Sequence, residues 1–186
     1  DCYKAPRIGC KDRLPLSKQV SEQQGGFDLT DLRGRVCVIT GAGNNGIGWG
    51  LAVHAATELR MNVVLVVLHE NVVRDAVAQL KARIEHEGLE NRVLGIASDV
   101  TDPDQLASCL IEIQVAFRGV PIGAVFANAG VIFNHSIMKS TVTEWQTTLN
   151  VNVLGVVNTL KTFVPVLQEQ TEASVVCTTA SIRGEV

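Results

Sequence analysis

The chain has 186 residues, a formal net charge of −3 and a hydrophobic content of 46%. This length suits a single domain with a sizeable core, and the apolar content excludes a disordered chain. The near-balanced charge excludes a basic surface for nucleic acid, and no apolar run approaches the roughly 20 residues that cross a bilayer. We therefore expect no nucleic-acid partner and no membrane association.

The first part of the chain differs in composition from the rest. Residues 1–33 are polar, contain Pro6 and Pro15, and show no sustained periodicity. We predict that they form an N-terminal extension that lies over the domain or stays mobile, and that residues 34–186 form the domain. The chain begins with Asp1 rather than Met and has no apolar secretory segment, which suggests a trimmed chain without a signal peptide.

The five cysteines and four histidines show no metal-binding pattern. No CxxC is present and the histidines are scattered, so we predict no metal site. Cys37 and Cys177 fall inside apolar runs, where a thiol behaves as a small hydrophobe. Thiols stay reduced inside cells, and we expect a cytoplasmic location.

Short apolar runs alternate with longer helix-like stretches along the rest of the chain. The predicted strands are RVCVIT (35–40), NVVLVVL (62–68), RVLGIA (92–97), IGAVFA (122–127) and SVVCTT (174–179). The predicted helices are 46–60, 71–87, 103–118 and 141–170, the last opened by a capping box of Thr141 and Glu144. Runs that are apolar throughout are typical of strands buried on both faces. Their alternation with helices predicts a doubly wound parallel α/β sheet, the Rossmann architecture.

A glycine-rich segment, TGAGNNGIGWG, joins the first strand to the first helix. Gly41, Gly43 and Gly46 satisfy the pattern GxGxxG, while Gly48 and Gly50 would let the helix pack close to the sheet. Glycines let the backbone approach a pyrophosphate, and the helix N-terminus offers free N–H groups and a positive dipole end. The position between a strand and a helix predicts a dinucleotide-binding loop.

The end of the second strand leaves the identity of the dinucleotide open. An acidic residue there would bind the adenosine ribose, but Val67 and Leu68 stand at this place and cannot form side-chain hydrogen bonds. Glu70 could reach a 2′-hydroxyl, and His69, if protonated, could favour a 2′-phosphate. NAD and NADP both remain candidates.

Six segments in chain order resemble motifs of the short-chain dehydrogenases/reductases. They are FDLTDLRGRVCVITGAG, the loop TGAGNNGIG, SDVTD (98–102), ANAG (127–130), WQTTLNVNVLGV (145–156) and VVCTTASIRG. The loop resembles the family's TGxxxGIG but has one additional residue. The resemblance covers residues 28–186 and implies a Rossmann sheet that is incomplete at its C-terminal edge.

The resemblance also implies the roles of individual residues. The implied cofactor-binding residues are Gly41, Asn45, Gly46, Ile47, Gly48, Asp99, Val100, Asn128, Ala129 and Gly130. In the catalytic site, Asn152 would help to organise the geometry and Ser181 would steady the substrate oxygen. The implied activity is hydride transfer between NAD or NADP and the carbonyl or secondary alcohol of a small molecule.

The family's catalytic tyrosine and lysine have no counterpart at the expected spacing. A phenol needs a nearby cation to lower its pKa, and a lysine four residues later serves this purpose in the family. The only tyrosine is Tyr3, followed four residues later by Arg7. The pair would lie beyond Ser181, past Val186, so this chain alone is expected to lack redox turnover.

Two interpretations follow. In the favoured one, the chain is part of a longer dehydrogenase; in the alternative, it is a naturally truncated protein that acts as a binding module or a cofactor-independent enzyme. Ending at Val186 would leave residues 175–177 on an unpaired edge, which a natural protein avoids. It would also uncover one face of the helix 141–170, so we expect a homo-oligomer through that helix. This face carries Trp145, Leu149, Val156, Leu160, Phe163 and Leu167.

Overall fold

The computed structural model describes residues 29–180. The predicted catalytic Ser181 and the predicted extension up to residue 28 lie outside the described residues. The described part opens with a 3₁₀ turn, Leu29–Leu32, whose Leu32 is buried in the core beside Gly123. Packed structure therefore begins before Gly34.

Five strands alternate with helices in the predicted order. The strands are β1 Val36–Thr40, β2 Asn62–Val67, β3 Val93–Ala97, β4 Ile122–Ala127 and β5 Val175–Thr178. The helices are α1 Gly46–Thr57, α2 Glu70–His86, α3 Pro103–Ala116, α4 Val142–Leu149, a π-helical turn Asn150–Leu154, and α5 Gly155–Glu169. All pairings are parallel and the strand order is β3-β2-β1-β4-β5. The predicted Rossmann architecture is confirmed.

The sheet is covered on both faces because its central strands are apolar apart from Asn62 at the start of β2 and Thr40 at the end of β1. β1 is completely buried. On one face, α1 and α2 contribute Ala52 and Leu80 to a core cluster; on the other, α3 and α5 contribute Ile113 and Phe163. The strand order reverses between β1 and β4, and such a reversal opens a crevice at the carboxyl ends of the strands. The predicted site residues within residues 29–180 lie at this end of the sheet.

Two helices begin at caps that the sequence predicts. Asp102 accepts hydrogen bonds from the N–H groups of Asp104 and Gln105 at the start of α3, and a hydrogen bond from the Gln105 side chain helps to lower the pKa of Asp102. Thr141 and Glu144 form both halves of the predicted capping box at the start of α4. The Thr141 N–H, which donates to the Glu144 carboxylate, holds the pKa of Glu144 below its usual range.

The predicted helix 141–170 is interrupted by the π-helical turn. On one side of this turn, the Asn152 side chain is bound to the backbone of Val131. On the other, Gly155 lies so close to Val100 that an added Cβ would be 2.7 Å from the valine Cγ2. The π turn therefore occurs where the helix contacts the segments of Val131 and Val100. Single π turns within α-helices are frequent at functional sites.

The turn changes which face of the long helix is uncovered. Phe163 and Leu167 are buried, although the sequence placed them on the uncovered face with Trp145 and Leu149, which are largely exposed. One extra residue rotates everything after it by roughly 100° about the helix axis, so a stripe drawn at regular helical spacing does not continue through the turn. The exposed apolar surface instead continues along α4 and the π turn.

By length and composition, the helix Val142–Glu169 could cross a membrane; its mean hydropathy is 1.2. The sequence predicts no such segment, because no apolar run approaches the roughly 20 residues that cross a bilayer. The cores of water-soluble proteins contain helices of similar length and composition. The measure alone therefore gives only weak support for a membrane span.

Within residues 29–180, strand β5 pairs with β4 alone. Its outer edge is therefore free there, with Val176 and Cys177 exposed. Unpaired, apolar strand edges attract further strands. This edge is where the sequence predicts that the sheet is incomplete.

Candidate functional site

The predicted phosphate loop lies against the end of β4. Gly41 has a φ of +69°, and an added Cβ would lie 2.7 Å from the Cα of Ala129. Gly46 has a φ of +83°. Both positions need glycine: the first for conformation and close approach, the second for conformation alone. The loop and the segment ANAG are thus in direct contact.

The N-terminus of α1 is open to an anion. Asn45 is its N-cap residue but forms no side-chain cap, and the first turn carries no acidic residue. The first N–H groups of a helix have no partner within the helix, and the dipole makes this end positive. The amides of Gly46, Ile47 and Gly48 therefore suit the phosphates of a dinucleotide.

Two glycines predicted to bring α1 close to the sheet behave differently. An added Cβ on Gly48 would lie 2.5 Å from the Gly41 carbonyl oxygen and 2.6 Å from Asn128 Nδ2, so close packing there requires glycine. The same addition on Gly50 meets nothing within 4 Å. The prediction for Gly50 is wrong because its exposed position faces away from the sheet.

Thr40 joins the phosphate loop to the end of β4. Its hydroxyl donates to the Phe126 carbonyl at 3.3 Å and accepts from the N–H groups of Asn128 and Ala129, each at 3.0 Å. One side chain therefore holds three backbone groups from the neighbouring strand end. This arrangement fixes the spacing between β1 and β4 where the crevice opens.

Asn128 connects three strand ends through its side-chain amide. Its Nδ2 donates to the carbonyl oxygens of Thr40, at 3.0 Å, and Gly41, at 3.4 Å. Its Oδ1 accepts from the Thr179 hydroxyl at 2.8 Å. Both ends of the amide are occupied by the protein, so the side chain braces the loop.

Asp99 and Val100 follow β3 at the same end of the sheet. One oxygen of Asp99, Oδ1, accepts from the N–H and the hydroxyl of Thr101, both at 2.8 Å. Val100 is buried under Gly155, and its carbonyl accepts from Asn158 at 3.1 Å. The backbone of this segment is thus held by local and helical contacts, with the second carboxylate oxygen of Asp99 outside the turn.

Asn152 lies in the π turn and contacts the segment that follows Gly130. Its Nδ2 donates to the Val131 carbonyl at 2.9 Å, and its Oδ1 accepts from the Val131 N–H at 2.8 Å. A Cβ added to Gly130 would lie 3.4 Å from Asn152 Oδ1. The structure therefore brings two predicted site residues, Gly130 and Asn152, together.

Three further residues of the site, Thr40, Thr179 and Val131, are not predicted by the sequence. Their signals are weak, because a threonine in a strand is ordinary for β-structure and a valine contributes here through its backbone. The sequence does place both threonines at the carboxyl ends of their strands, where ligands of such sheets bind. That position is the one signal that could have selected them.

A groove among the described residues lies elsewhere. It runs between α3 and α5 and is lined by Phe117, Ile122 and Gln170. The Gln170 amide exchanges two hydrogen bonds with the backbone of Ile122, at the amino end of β4. This is the opposite end of the sheet from the glycine loop, so the groove is separate from the candidate site.

Sequence comparison is consistent with this geometry. The profile of the family described as short chain dehydrogenase matches residues 35–186. The chain belongs to the short-chain dehydrogenase family. The predicted family membership is confirmed.

Curated relatives of this short-chain dehydrogenase include two reductases. An acetoacetyl-CoA reductase of Synechocystis sp. is 30% identical over 154 residues, which are 83% of this chain and 55% of the relative. A 3-oxoacyl-[acyl-carrier-protein] reductase of Thermotoga maritima is 28% identical over 145 residues, 78% of this chain and 55% of the relative. The chain thus spans about half the length of these relatives.

Solved structures with the same fold contain either dinucleotide. A short chain dehydrogenase/reductase from Burkholderia phymatum in complex with NAD is 30% identical, with a TM-score of 0.74 over 84% of this chain and 52% of that chain. L-sorbose reductase from Gluconobacter frateurii, complexed with NADPH and L-sorbose, is 28% identical, with a TM-score of 0.69 over 83% and 55%. Both nicotinamide dinucleotides thus occur on this scaffold.

Proposed function

We propose that this chain forms the dinucleotide-binding part of a longer NAD(P)-dependent oxidoreductase. The complete enzyme transfers hydride between the nicotinamide and the carbonyl or secondary alcohol of a small molecule. The observation that carries the proposal is the uncapped N-terminus of α1, which follows a loop pressed against Ala129 and Asn128. A pyrophosphate would accept hydrogen bonds from the free N–H groups at that helix end.

Each site residue has a physical role in this proposal. The free amides of Gly46, Ile47 and Gly48 would bind the pyrophosphate, and the second oxygen of Asp99 would accept a hydrogen bond from the adenine. Asn152 fixes the chain after Gly130, which forms the nicotinamide side of the site. The bound nicotinamide supplies the hydride chemistry. By the family resemblance, Ser181 steadies the substrate oxygen.

We propose that the site accepts both NAD and NADP with similar affinity. Leu68 is largely exposed at the end of β2, and His69 caps α2 without a side-chain hydrogen bond. Leu68 therefore offers neither a carboxylate for a 2′-hydroxyl nor a cation for a 2′-phosphate. One neighbouring structure holds NAD and another holds NADPH, so the fold itself admits either dinucleotide.

Calorimetric titration with each dinucleotide tests the binding half of the proposal. We expect saturation by both; no heat up to millimolar concentration of either one overturns it. With a panel of ketones and secondary alcohols, the 186-residue chain should bind a dinucleotide but show no turnover, since its one tyrosine is Tyr3. Nicotinamide absorbance that changes faster than the enzyme-free control would contradict this expectation.

We further propose that the enzyme is a homo-oligomer through the long helix. The supporting feature is the exposed apolar surface of α4 and the π turn, formed by Val142, Trp145, Leu149, Val153 and Leu154. Water-soluble monomers rarely keep such a continuous surface uncovered. The cytoplasmic location stays a prediction.

A further inference from the structure

Thr179 occupies a position that links two parts of the site. Its N–H donates to the Ala127 carbonyl at 3.1 Å, which extends the β4–β5 pairing by one residue. Its hydroxyl donates to Asn128 Oδ1 at 2.8 Å. Along the chain, Thr179 stands two residues before Ser181. The same side chain thus contacts the brace of the phosphate loop and directly precedes the segment of the predicted catalytic serine.

The hydrogen bond to Thr179 has a fixed direction. Asn128 Nδ2 is the donor to the carbonyl oxygens of Thr40 and Gly41, so its Oδ1 must face Thr179 and needs a hydrogen from the hydroxyl. The amide also has little room to move, since Gly48 leaves no space for even a Cβ beside Nδ2. A shift of Thr179 is therefore transmitted to the loop carbonyls.

We propose that Thr179 is a positioning residue that couples the end of β5 to the phosphate loop through the Asn128 amide. Binding of a dinucleotide at the loop then orders the strand end that leads to Ser181. By thermodynamic reciprocity, ordering that strand end strengthens dinucleotide binding by the same factor. The ligand half of this inference rests on the proposed function; the coupling within the protein does not.

The first test needs no ligand. The Gly41 N–H donates to the Val66 carbonyl at 2.8 Å, so its hydrogen exchange reports opening of the loop. Thr179→Val should speed this exchange about three- to tenfold, which corresponds to one net hydrogen bond. Thr179→Ser keeps the hydroxyl and should restore the wild-type rate.

Thr178→Val is the matched control for this exchange measurement. It makes the same chemical change one residue earlier, at a hydroxyl that donates no hydrogen bond within residues 29–180. Its exchange rate at Gly41 should stay at the wild-type value. Equal rates for Thr179→Val and Thr178→Val would overturn the proposal.

A second test adds NADP as the probe. Thr179→Val should weaken its calorimetric affinity about three- to tenfold, and this loss should vanish in an Asn128→Ala background, where the coupling path is absent. NADP should also slow exchange of the residue 179 amide in the wild type but not in Thr179→Val. The inference is overturned if Thr179→Val binds NADP with the wild-type affinity and NADP still slows hydrogen exchange of its residue 179 amide. If the wild type binds neither NADP nor NAD, the proposed function fails, and the ligand-free exchange alone decides the coupling.

Discussion

Asn152 satisfies both backbone hydrogen-bonding groups of Val131 with the two ends of its side-chain amide. This pairing joins the π turn of the long helix to the segment after Gly130, where the nicotinamide side of the proposed site lies. A side chain that serves a neighbouring segment in this way is a structural support of the site. It also explains why a polar residue stands between the apolar residues Val151 and Val153 of the π turn.

Asn152→Ala should therefore loosen the segment after β4. The loss of two partly exposed hydrogen bonds should reduce the free energy of unfolding by about 1–2 kcal/mol. Urea unfolding followed by circular dichroism measures the change. Asn150→Ala is the control, because the Asn150 side chain makes no hydrogen bond within residues 29–180. Equal effects of the two variants would contradict the assigned role of Asn152.

Gly48→Ala and Gly50→Ala form a matched pair on α1. The first places a methyl group 2.5 Å from the Gly41 carbonyl oxygen and should cost about 1–3 kcal/mol of stability by overpacking. The second meets open space and should stabilise the helix by up to about 1 kcal/mol. Dinucleotide affinity should fall only in the first. A Gly48→Ala chain with wild-type unfolding and titration curves would refute the proposed packing.

Leu68 offers a test of dinucleotide choice. Leu68→Asp places a carboxylate where it can accept from a 2′-hydroxyl and repel a 2′-phosphate, so NAD should be favoured by about tenfold or more. Leu68→Arg should favour NADP to a similar degree, while the wild type distinguishes the two less strongly. Calorimetric affinities for both ligands measure the preference. Unchanged ratios in both variants would show that Leu68 does not face the ribose.

The proposed oligomer interface can be disrupted by charge. Leu149→Lys combined with Val153→Lys should shift the chain to monomer, because burying two ammonium groups in an apolar interface is costly. Val115→Lys, on the exposed side of α3, makes the same change outside this surface and should leave the oligomer intact. Sedimentation at micromolar concentration distinguishes the species. A monomeric wild type would rule out self-association through this surface.

Three cysteines within residues 29–180 should differ in reactivity. Burial raises the pKa of the Cys37 thiol to about 12, and burial, aided by Glu112, raises that of Cys109 to about 12. Cys177 is exposed. At about pH 8, iodoacetamide should modify Cys177 and spare the other two until the chain is denatured, since the thiolate is the nucleophile. Peptide mass mapping measures this.

The raised pKa values of the Cys37 and Cys109 thiols also predict how the stability of the fold changes with pH. Folding favours the neutral thiol, so this contribution is complete below the ordinary thiol pKa of 9.0. It is lost as the pH rises from there through about 12. The midpoint temperature of unfolding should therefore decrease as the pH rises above about 9. A Cys37→Ala variant should lose less stability at alkaline pH than the wild type. In the iodoacetamide experiment, modification of Cys37 in the native chain would contradict its burial.

The sequence predicted the strands closely because their runs are apolar on both faces and end in polar or glycine-rich segments. The predicted β4, IGAVFA, matches Ile122–Ala127 in full. The capping box was also predictable, because both of its residues lie within one turn of the chain. These features depend on residues that are close in sequence, so the sequence alone was sufficient to predict them.

The interruption of the long helix could not be predicted in the same way. It occurs where Asn152 contacts Val131 and Gly155 contacts Val100, and these partners are distant in sequence. The hydrogen bond between Thr179 and Asn128 likewise depends on two strand ends meeting in space. Sequence periodicity describes one segment at a time and carries no information about contacts between segments that are distant in sequence.

The phosphate loop is packed closely at both ends and exposed at its middle. Gly41 is wedged against Ala129 and Gly48 against Gly41 itself, while Asn44 and Asn45 are exposed. The additional residue of this loop can therefore bulge into solvent while both anchors stay in place. A library that varies the length of the chain at Asn44 and Asn45 could therefore reshape the mouth of the binding cleft and leave the sheet beneath undisturbed.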